Sequence, residues 1–341
     1  MVKWLALALL LVGVWFGWQW ANDAYWAVPV GAVKTVEIPE GADGKAVAKI
    51  LEDQDIIESA GRYLMYGRFD SSVSRARAGS YQIRPGSNFR EIARTLALGP
   101  ARTEVQITII EGETVDALVD QMEADHKIDP ADTVRVIGRS LDRVPFDLAL
   151  RDTYPFLANL PRDRSLDGYL FPNTYRVWAD QLPEGLIGKQ LDEFSKRFSA
   201  AKPGANSAPL KDLDDVIILA SIVQDEVRSN DDMRIVAGIF LNRLRDGMAL
   251  QSDATLNYLT GSGRARANTR DLSIDSPWNT YKYRGLPPSP IGNPGEAAIK
   301  AVLDPEPSQF RYFLTDKEGK TYYARTLEEH VANRQKAGYT Q

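Results

Sequence analysis

An uncharged, apolar stretch at the start of the chain constrains its folding more than any other feature. Trp4 to Asn22 reads WLALALLLVGVWFGWQWAN, about the length that crosses a hydrocarbon core of roughly 30 Å as a helix. Aromatic residues run to its end, whereas a cleaved signal peptide has a shorter apolar region that ends in small residues. We therefore expect a single-pass membrane anchor at residues 1–23, with Lys3 on the cytoplasmic side and the rest of the chain facing outward.

The composition excludes several kinds of site. The chain has 341 residues and no cysteine, which excludes disulfides, thiolate catalysis and cysteine zinc sites. The only two histidines are His126 and His330, so a histidine-rich metal site is not credible and we expect neither a metal nor a cofactor. The formal net charge of -5 gives no reason to expect nucleic acid as a partner.

A weak pattern occurs three times in residues 36–122, after a linker at 24–35. Each copy is an alternating strand, a turn with glycine and an amphipathic helix. The copies start at Val36, Tyr81 and Val105. Because their spacing is irregular, a packed βα module in an α+β protein is favoured over a solenoid. The second copy, at 78–100, resembles a LysM-like glycan-binding unit, and a generic βα packing unit is the alternative.

The segment DGYLFPNTYRV is rich in aromatic residues. Tyr169, Phe171 and Tyr175 alternate in it as strand residues do. Their rings suit either a hydrophobic core or a surface that stacks on sugar rings, and the spacing favours the core.

One carboxylate falls where a helix would bury an apolar side chain. At about 100° per residue, Glu226 lies on the apolar arc of a helix predicted from about Leu213, whereas Gln224 and Asp225 point away from it. The arc is formed by Leu219, Ile222 and Val223. Burial disfavours the charged form of a carboxyl group and raises its pKa, which suits a general acid near neutrality. The alternatives are a rim residue on a partly buried helix and a structural ion pair with a nearby arginine such as Arg228 or Arg234.

Two later segments contain residue types found around binding sites. The Pro- and Gly-dense stretch from Asn279 to Gly295 is expected to form a rigid cleft wall. Arg264, Arg266 and Arg270 lie in the preceding loop, GSGRARANTRD. These arginines could contact carboxylates of a ligand, but a solvated loop is the favoured interpretation.

Several motifs occur in order between Ala220 and His330. They are ASIVQDE from Ala220, FLNRLRDGMALQSDAT from Phe240, NTY from Asn279, GLPPSPIGNPG from Gly285, YFLTD from Tyr312 and TLEEH from Thr326. Together with the preceding membrane segment and βα module, they resemble the YceG-like family of endolytic murein transglycosylases.

This resemblance implies a reaction and an acid for it. The implied reaction cleaves the β-1,4 bond between N-acetylmuramic acid and N-acetylglucosamine in peptidoglycan strands and leaves a 1,6-anhydro end. Glu226 is implied to act first as acid and then as base, within a catalytic domain at 123–341. The family often has glutamate at the first acidic position of its signature, where this chain has Gln224. Further departures occur at Asp167, Asn173, Ser289 and Thr321, and these four positions stay without an assigned role.

Four polar residues of the motifs are candidates for orienting the sugar and its acetamido groups. They are Gln251, Asp253, Asn279 and Tyr281. Asp253 also offers a second carboxylate, which would stabilise an oxocarbenium-like centre. The expected partners are peptidoglycan strands, the membrane through residues 4–22, and wall-synthesising enzymes. The implied location is the inner (cytoplasmic) membrane, with the catalytic domain on the periplasmic side. A non-catalytic, wall-binding scaffold protein is the alternative function.

Overall fold

The chain divides after Arg102 into a first unit, Met1–Arg102, and a second unit, Thr103–Gln341. The computed structural model describes residues 2–262 and 268–339, without the side chains of residues 2, 3, 5, 6, 8 and 9. Arg264 and Arg266, two of the three arginines in the segment GSGRARANTRD, lie outside the described residues. Both units combine helices with antiparallel strand pairs, which confirms the predicted α+β class.

The first unit packs helices around one pair of strands. Its elements are α1 (Val2–Ala21), β1 (Lys34–Ile38), α2 (Gly44–Asp53), α3 (Ala60–Tyr66), β2 (Gly79–Ile83) and α4 (Phe89–Leu98). β1 and β2 are antiparallel, with Val36 opposite Tyr81, and both residues belong to a core that includes Leu51 and Phe89. The predicted LysM-like segment at 78–100 contains β2 and α4. Because β2 pairs with a strand outside that segment, 78–100 is not a self-contained unit.

Helix α1 forms over the apolar stretch that opens the chain. Its sequence is rich in leucine and alanine, which favour helix strongly. The side chains of Trp4, Leu10 and Trp18 are more than half exposed. Within the described residues, no helix meets the length and apolarity needed to cross a membrane.

The second unit is mostly helical. Its helices are α5 (Val115–His126), α6 (Pro130–Ile137), α7 (Ala149–Thr153), α8 (Glu184–Phe198), α9 (Leu213–Glu226), α10 (Asn230–Arg245), α11 (Asp253–Thr260), α12 (Thr269–Leu272), α13 (Glu296–Leu303) and α14 (Leu327–Lys336). Its strands are β3 (Glu104–Thr108), β4 (Thr174–Trp178), β5 (Tyr312–Thr315) and β6 (Thr321–Ala324). β3 pairs antiparallel with β4, and β5 with β6. Arg270, the third arginine of the segment GSGRARANTRD, is exposed on α12.

The third βα copy of the sequence pattern belongs to this second unit. Ile107 of β3 and Val115 of α5 lie in its hydrophobic core, because β3 pairs with β4 from far along the chain. The sequence placed the start of the catalytic domain at 123, whereas the second unit starts at Thr103.

Helix α9 is enclosed by protein. Every residue from Val216 to Val223 is buried, and the helix packs against α10, α11 and α13. A helix that is apolar on all sides is a core element. The single apolar arc identified in the sequence described an amphipathic surface helix instead. Its last residue, Glu226, is half-buried.

A buried ion pair holds the start of α9. Arg164 is 4% exposed and donates from its two terminal nitrogens to the Asp214 carboxylate at 3.1 and 2.9 Å. It also donates to the carbonyl oxygen of Pro288 at 2.6 Å, and the Tyr169 hydroxyl donates to Asp214 at 2.8 Å. Because each charge is paired and hydrogen-bonded, loss of either partner would leave a buried charge without compensation.

The segment GLPPSPIGNPG packs inside the second unit and does not form the exposed cleft wall that its composition predicted. Residues 291–295 are all buried. The Asn293 amide donates to the carbonyl oxygen of Glu113 at 2.8 Å and accepts from the backbone N–H groups of Gly168 and Leu170 at 2.8 and 3.1 Å. One side chain therefore joins three parts of the chain that are far apart in sequence.

The aromatic residues of DGYLFPNTYRV belong to the core. Tyr169, Phe171 and Tyr175 are between 1% and 7% exposed. The Tyr169 ring lies 5.1 Å from that of Phe194, and the Phe171 ring lies 6.1 Å from that of Phe198. The core interpretation is confirmed, and these rings do not form a sugar-stacking surface.

We predict that Gly168→Ala strongly destabilises the second unit. Gly168 has φ +89°, and an added Cβ would lie 2.5 Å from Ile217 Cγ2 and 2.6 Å from Pro290 Cγ. Backbone strain and overpacking together should cost about 3 kcal/mol, which lowers the melting temperature of a unit of this size by about 6 to 12 °C.

The matched control is Gly188→Ala in α8, where an added Cβ meets no atom within 4 Å. Alanine stabilises helix interiors relative to glycine by about 1 kcal/mol, so this variant should melt at or slightly above the wild-type temperature. Thermal unfolding followed by circular dichroism measures both variants. Equal melting temperatures for the two would contradict the packing described for Gly168.

Candidate functional site

A cleft of about 950 Å³ opens beside the C-terminal end of α9. Natural ligand pockets measure about 300–1,000 Å³, so the cleft has room for an extended ligand. It is lined by three acidic side chains, by several basic ones, and by residues of β5 and α14. The acidic side chains are those of Asp225, Glu226 and Asp253.

Glu226 lines this cleft as a half-buried carboxyl group. Its Oε1 accepts a hydrogen bond from the Ser252 hydroxyl at 2.5 Å. Burial raises the pKa of the Glu226 carboxyl to about 7, the charges of Asp253 and Asp225 act in the same direction, and the Ser252 hydrogen bond and the Arg243 charge oppose them. Its position at the negative end of the α9 dipole also favours the protonated form. Near neutral pH, Glu226 can therefore both donate and accept a proton.

The loop that carries Ser252 is fixed by buried hydroxyl groups. The Ser252 backbone N–H donates to Thr280 Oγ1 at 3.0 Å, and the hydroxyls of Thr255 and Thr280 are hydrogen-bonded at 3.0 Å. Gln251 adopts φ +51° and donates its N–H to the Thr280 carbonyl oxygen at 3.1 Å. A left-handed backbone at a residue other than glycine marks a conformation imposed by its surroundings. This turn directs Ser252 toward Glu226.

Asp253 and Tyr281, two of the predicted substrate-binding residues, meet in the cleft. The Tyr281 hydroxyl donates to Asp253 Oδ1 at 2.7 Å. Burial, reinforced by this hydrogen bond, raises the pKa of the Tyr281 phenol, which therefore stays protonated and remains a donor. Gln251, Asp253 and Tyr281 all line the cleft together with Glu226.

Asn279, the fourth predicted substrate-binding residue, is fully buried and does not line the cleft. Its amide donates to the carbonyl oxygens of Leu272 and Ile274 at 3.2 and 2.8 Å. Its side-chain oxygen accepts the backbone N–H of Tyr281 at 3.1 Å. Both amide hydrogens are used inside the protein, so in this arrangement Asn279 shapes the loop that presents Tyr281.

Gln224, at the first acidic position of the motif, faces a different part of the protein. Its side-chain oxygen accepts the backbone N–H of Gly295 at 2.9 Å, the residue that precedes α13. It also donates weakly to Glu111 at 3.5 Å. Gln224 is not among the residues that line the cleft. It therefore helps to hold the start of α13.

The remaining departures from the family pattern also lie away from the cleft lining. They are Asp167, Asn173, Ser289 and Thr321. Asp167 is fully buried and accepts hydrogen bonds from the Val115 N–H, the Ser165 hydroxyl and the Tyr258 hydroxyl at 2.9, 2.9 and 3.0 Å. Burial raises the pKa of Asp167 to about 6, while these donors act in the opposite direction. Its contacts are those of a residue that joins α5 to α11.

Sequence reasoning missed three residues that line or contact the site. Helical periodicity predicted that Asp225 points away from the site, yet Asp225 lines the cleft, because α9 ends at the next residue and its C-terminal end borders the cavity. Partial burial raises the pKa of the Asp225 carboxyl to about 6. Ser252 was not predicted, because an uncharged serine between Gln251 and Asp253 has no feature in the sequence that marks it as a site residue.

Arg243 is the third of these residues. It is 6% exposed, and it donates to the carbonyl oxygens of Arg311 and Leu250 at 2.7 and 2.5 Å. Burial lowers the pKa of its guanidinium, and the nearby Tyr312 and Glu226 oppose that shift. Arg243 is a charged residue within the apolar stripe of α10, as Glu226 is on the apolar arc of α9. Helical periodicity could therefore have identified Arg243 as well.

The arrangement supports acid–base chemistry by side chains. It combines a carboxyl group with a pKa near 7, a second carboxylate bonded to a phenol, and a buried guanidinium. Over residues 2–262 and 268–339, no group of three or more histidine, aspartate or glutamate side chains is placed to hold a metal ion.

Comparisons with known sequences agree with the motifs. A model of the YceG-like family matches residues 36–336. A protein of Bacillus subtilis named endolytic murein transglycosylase is 30% identical over 313 residues, which cover 88% of this chain and 84% of that protein. A protein of the same name from Streptococcus pneumoniae is 29% identical over 348 residues, covering 96% of this chain and 63% of that protein.

A solved structure also matches. The 2.6 Å crystal structure of a YceG-like protein from Listeria monocytogenes has 30% sequence identity and a TM-score of 0.56. The match covers 89% of this chain and 100% of that chain. The similarity therefore extends through both units.

We predict that Glu226→Gln stabilises the protein in a pH-dependent way. In the folded chain the carboxyl keeps its proton up to about pH 7, whereas in the unfolded chain it releases the proton near 4.5. Wild-type stability should therefore fall as the pH rises through this window, by up to about 3 kcal/mol. Glutamine cannot ionise, and its side-chain oxygen can still accept the Ser252 hydrogen bond.

Urea unfolding at a series of pH values measures the difference in the free energy of unfolding between variant and wild type. The difference should grow in favour of the variant from about pH 4.5 to about pH 7 and then stay constant. A difference that does not change with pH would contradict the raised pKa.

Proposed function

This chain belongs to the YceG-like family, and we propose that it is a lytic transglycosylase that cleaves the glycan strands of peptidoglycan with Glu226 as its acid and base. The observation that carries the proposal is the half-buried Glu226 carboxyl, with a pKa of about 7, on the wall of a large cleft. The names of the related proteins support the reaction class. The substrate bond is the β-1,4 linkage between N-acetylmuramic acid and N-acetylglucosamine.

One carboxyl group is sufficient for this reaction. Protonated Glu226 donates its proton to the glycosidic oxygen, and the bond from that oxygen to the muramic anomeric carbon breaks. The C6 hydroxyl of the same muramic residue attacks the anomeric carbon, and the Glu226 carboxylate takes the hydroxyl proton. The new bond closes the 1,6-anhydro ring, and Glu226 returns to its starting protonation state. Glycoside hydrolases, in contrast, use a pair of carboxylates, one of which activates water or forms a covalent bond.

The surroundings of Glu226 suit both halves of this cycle. Burial favours the neutral acid that starts the reaction, and the Ser252 hydroxyl and the Arg243 charge favour the carboxylate that forms next. A pKa near the working pH makes proton donation and proton removal comparably easy. Ser252 also fixes the orientation of the carboxyl group through its 2.5 Å hydrogen bond.

Asp253 has a supporting role in this proposal. Its carboxylate lines the same cleft and accepts the Tyr281 hydroxyl bond. A negative charge close to the reacting carbon would stabilise the positive charge that develops there. Gln251 and Tyr281 are proposed to orient the acetamido and hydroxyl groups of the sugars, since both present polar groups to the cleft.

The proposal also includes a location. The uncharged stretch at residues 4–22 is proposed to anchor the chain in the inner (cytoplasmic) membrane, with the catalytic unit on the periplasmic side. There it would act on newly made glycan beside wall-synthesising enzymes. The resemblance of residues 78–100 to a LysM-like unit supports glycan binding by the first unit.

We predict that Glu226→Gln lowers the yield of anhydro-muramyl ends from purified peptidoglycan by at least about 100-fold, the usual contribution of a general acid. Mass analysis of the digested glycan measures the yield. The control is Glu123→Gln, an exposed residue of α5 outside the cleft, which should keep wild-type activity.

Other product patterns would contradict parts of the proposal. Reducing ends in place of anhydro ends would indicate a hydrolase with a second carboxylate, and Asp253→Asn and Asp225→Asn would then identify it. No cleavage by the wild-type chain would favour the wall-binding scaffold. Unchanged anhydro products from Glu226→Gln would exclude Glu226 as the acid.

A further inference from the structure

One face of α14 borders the cleft. Leu327, His330 and Arg334 are spaced three and four residues apart, so they lie on one side of the helix, and all three line the cavity. The Leu327 side chain is 55% exposed. This wall therefore presents an apolar group, an imidazole and a guanidinium in a row.

Two exposed arginines line this cavity without an ion pair to any residue of 2–262 and 268–339. Arg228 and Arg334 line the cleft and are exposed, and neither forms an ion pair with any residue in the described part of the chain. Six other arginines of the second unit form ion pairs among the described residues, for example Arg311 with Asp246 at 2.5 Å. Unpaired guanidinium groups at a cavity wall are suited to bind carboxylate or phosphate groups of a ligand.

Stacked side chains lie between the α14 face and the surroundings of Glu226. The Arg243 guanidinium, whose charge acts on Glu226, lies 5.5 Å from the centre of the Tyr312 ring. The Tyr312 ring in turn stacks on His330 at 5.5 Å. The α14 face is thus one aromatic ring away from the groups around the acid. Glu226 and the α14 face line the same cleft, so a substituent of a substrate bound at Glu226 can lie against α14.

The chemistry of the substrate identifies that substituent. The sugar rings of peptidoglycan carry neutral acetamido and hydroxyl groups, whereas its short peptide stems carry free carboxylates and small apolar side chains. An apolar residue beside unpaired arginines matches the stem and not the sugar. We propose that the α14 face, formed by Leu327, His330 and Arg334, together with Arg228, is a subsite for the carboxylates of peptide stems, so that the cleft prefers stem-bearing glycan to stripped glycan. This inference rests on the proposed function.

The test compares two substrates with the full chain. One is glycan that carries its peptide stems. The other is the same glycan after an amidase has removed the stems and the lactyl carboxylates that this exposes have been capped as methyl amides. Arg334→Gln should raise the KM for stem-bearing glycan about tenfold, the size of a lost charge-assisted hydrogen bond. It should leave the KM for stripped glycan unchanged. Arg334→Lys, which keeps the charge, should recover part of the loss.

The control is Lys336→Gln, which removes one positive charge from an exposed residue of the same helix outside the cleft lining. It should change neither KM. The double variant Arg228→Gln with Arg334→Gln should erase the preference of the enzyme for stem-bearing glycan. Equal effects of Arg334→Gln on both substrates, or no effect on either, would overturn the subsite.

Direct binding separates this inference from the proposed function. Calorimetry with the Glu226→Gln chain and with uncleaved stem-bearing or stripped oligosaccharides reports affinity without turnover. Tighter binding of stem-bearing oligosaccharides, lost in the Arg334→Gln background, supports the subsite even if the wild type forms no anhydro ends. Equal affinity for the two oligosaccharides overturns the subsite, even if the wild type cleaves as proposed.

Discussion

The enclosure of helix α9 determines what the carboxyl group at its end can do. The helix is buried from Val216 to Val223, its start is held by the Arg164–Asp214 pair, and its end is held by the hydrogen bond from Ser252 to Glu226. A carboxyl group at the end of such a helix is poorly solvated on the protein side and faces a cleft on the other. Its raised pKa is therefore a consequence of where the helix ends, and not of one neighbouring charge.

The segments around α9 fix the same site from several directions. Ser221 of α9 accepts the backbone N–H of Ile291 at 3.0 Å, and Asn293 binds the turns at Glu113 and Gly168. The motifs that carry the family resemblance supply both kinds of residue. Thirteen of the 17 residues that line the cleft belong to them, and others, such as Ser221, Ser252 and Asn293, hold the segments that position Glu226. Packing of this kind keeps a reacting group in position to within a fraction of an ångström.

Local patterns predicted the elements, and tertiary contacts determined which residues meet. The helix predicted from about Leu213 begins at that residue in the structure, because a run of apolar residues is a local signal. Gln251, Asp253 and Tyr281 could be proposed from motif membership and polar type. Asn279 has the same signals, but its amide hydrogens bind carbonyl oxygens that sequence alone cannot place. Asp225 was missed because helical periodicity assumes that the helix continues, whereas α9 ends one residue later.

The proposed acid–base reaction depends most directly on the protonation of Glu226. Infrared difference spectra between the wild-type chain and Glu226→Gln isolate the C=O stretch of this one protonated carboxyl group, and a pH series gives its titration midpoint. We expect the band to persist to a midpoint at about pH 7. A midpoint near 4.5, the ordinary value for a glutamate, would show that the end of α9 is solvated and would contradict its role as an acid at neutral pH.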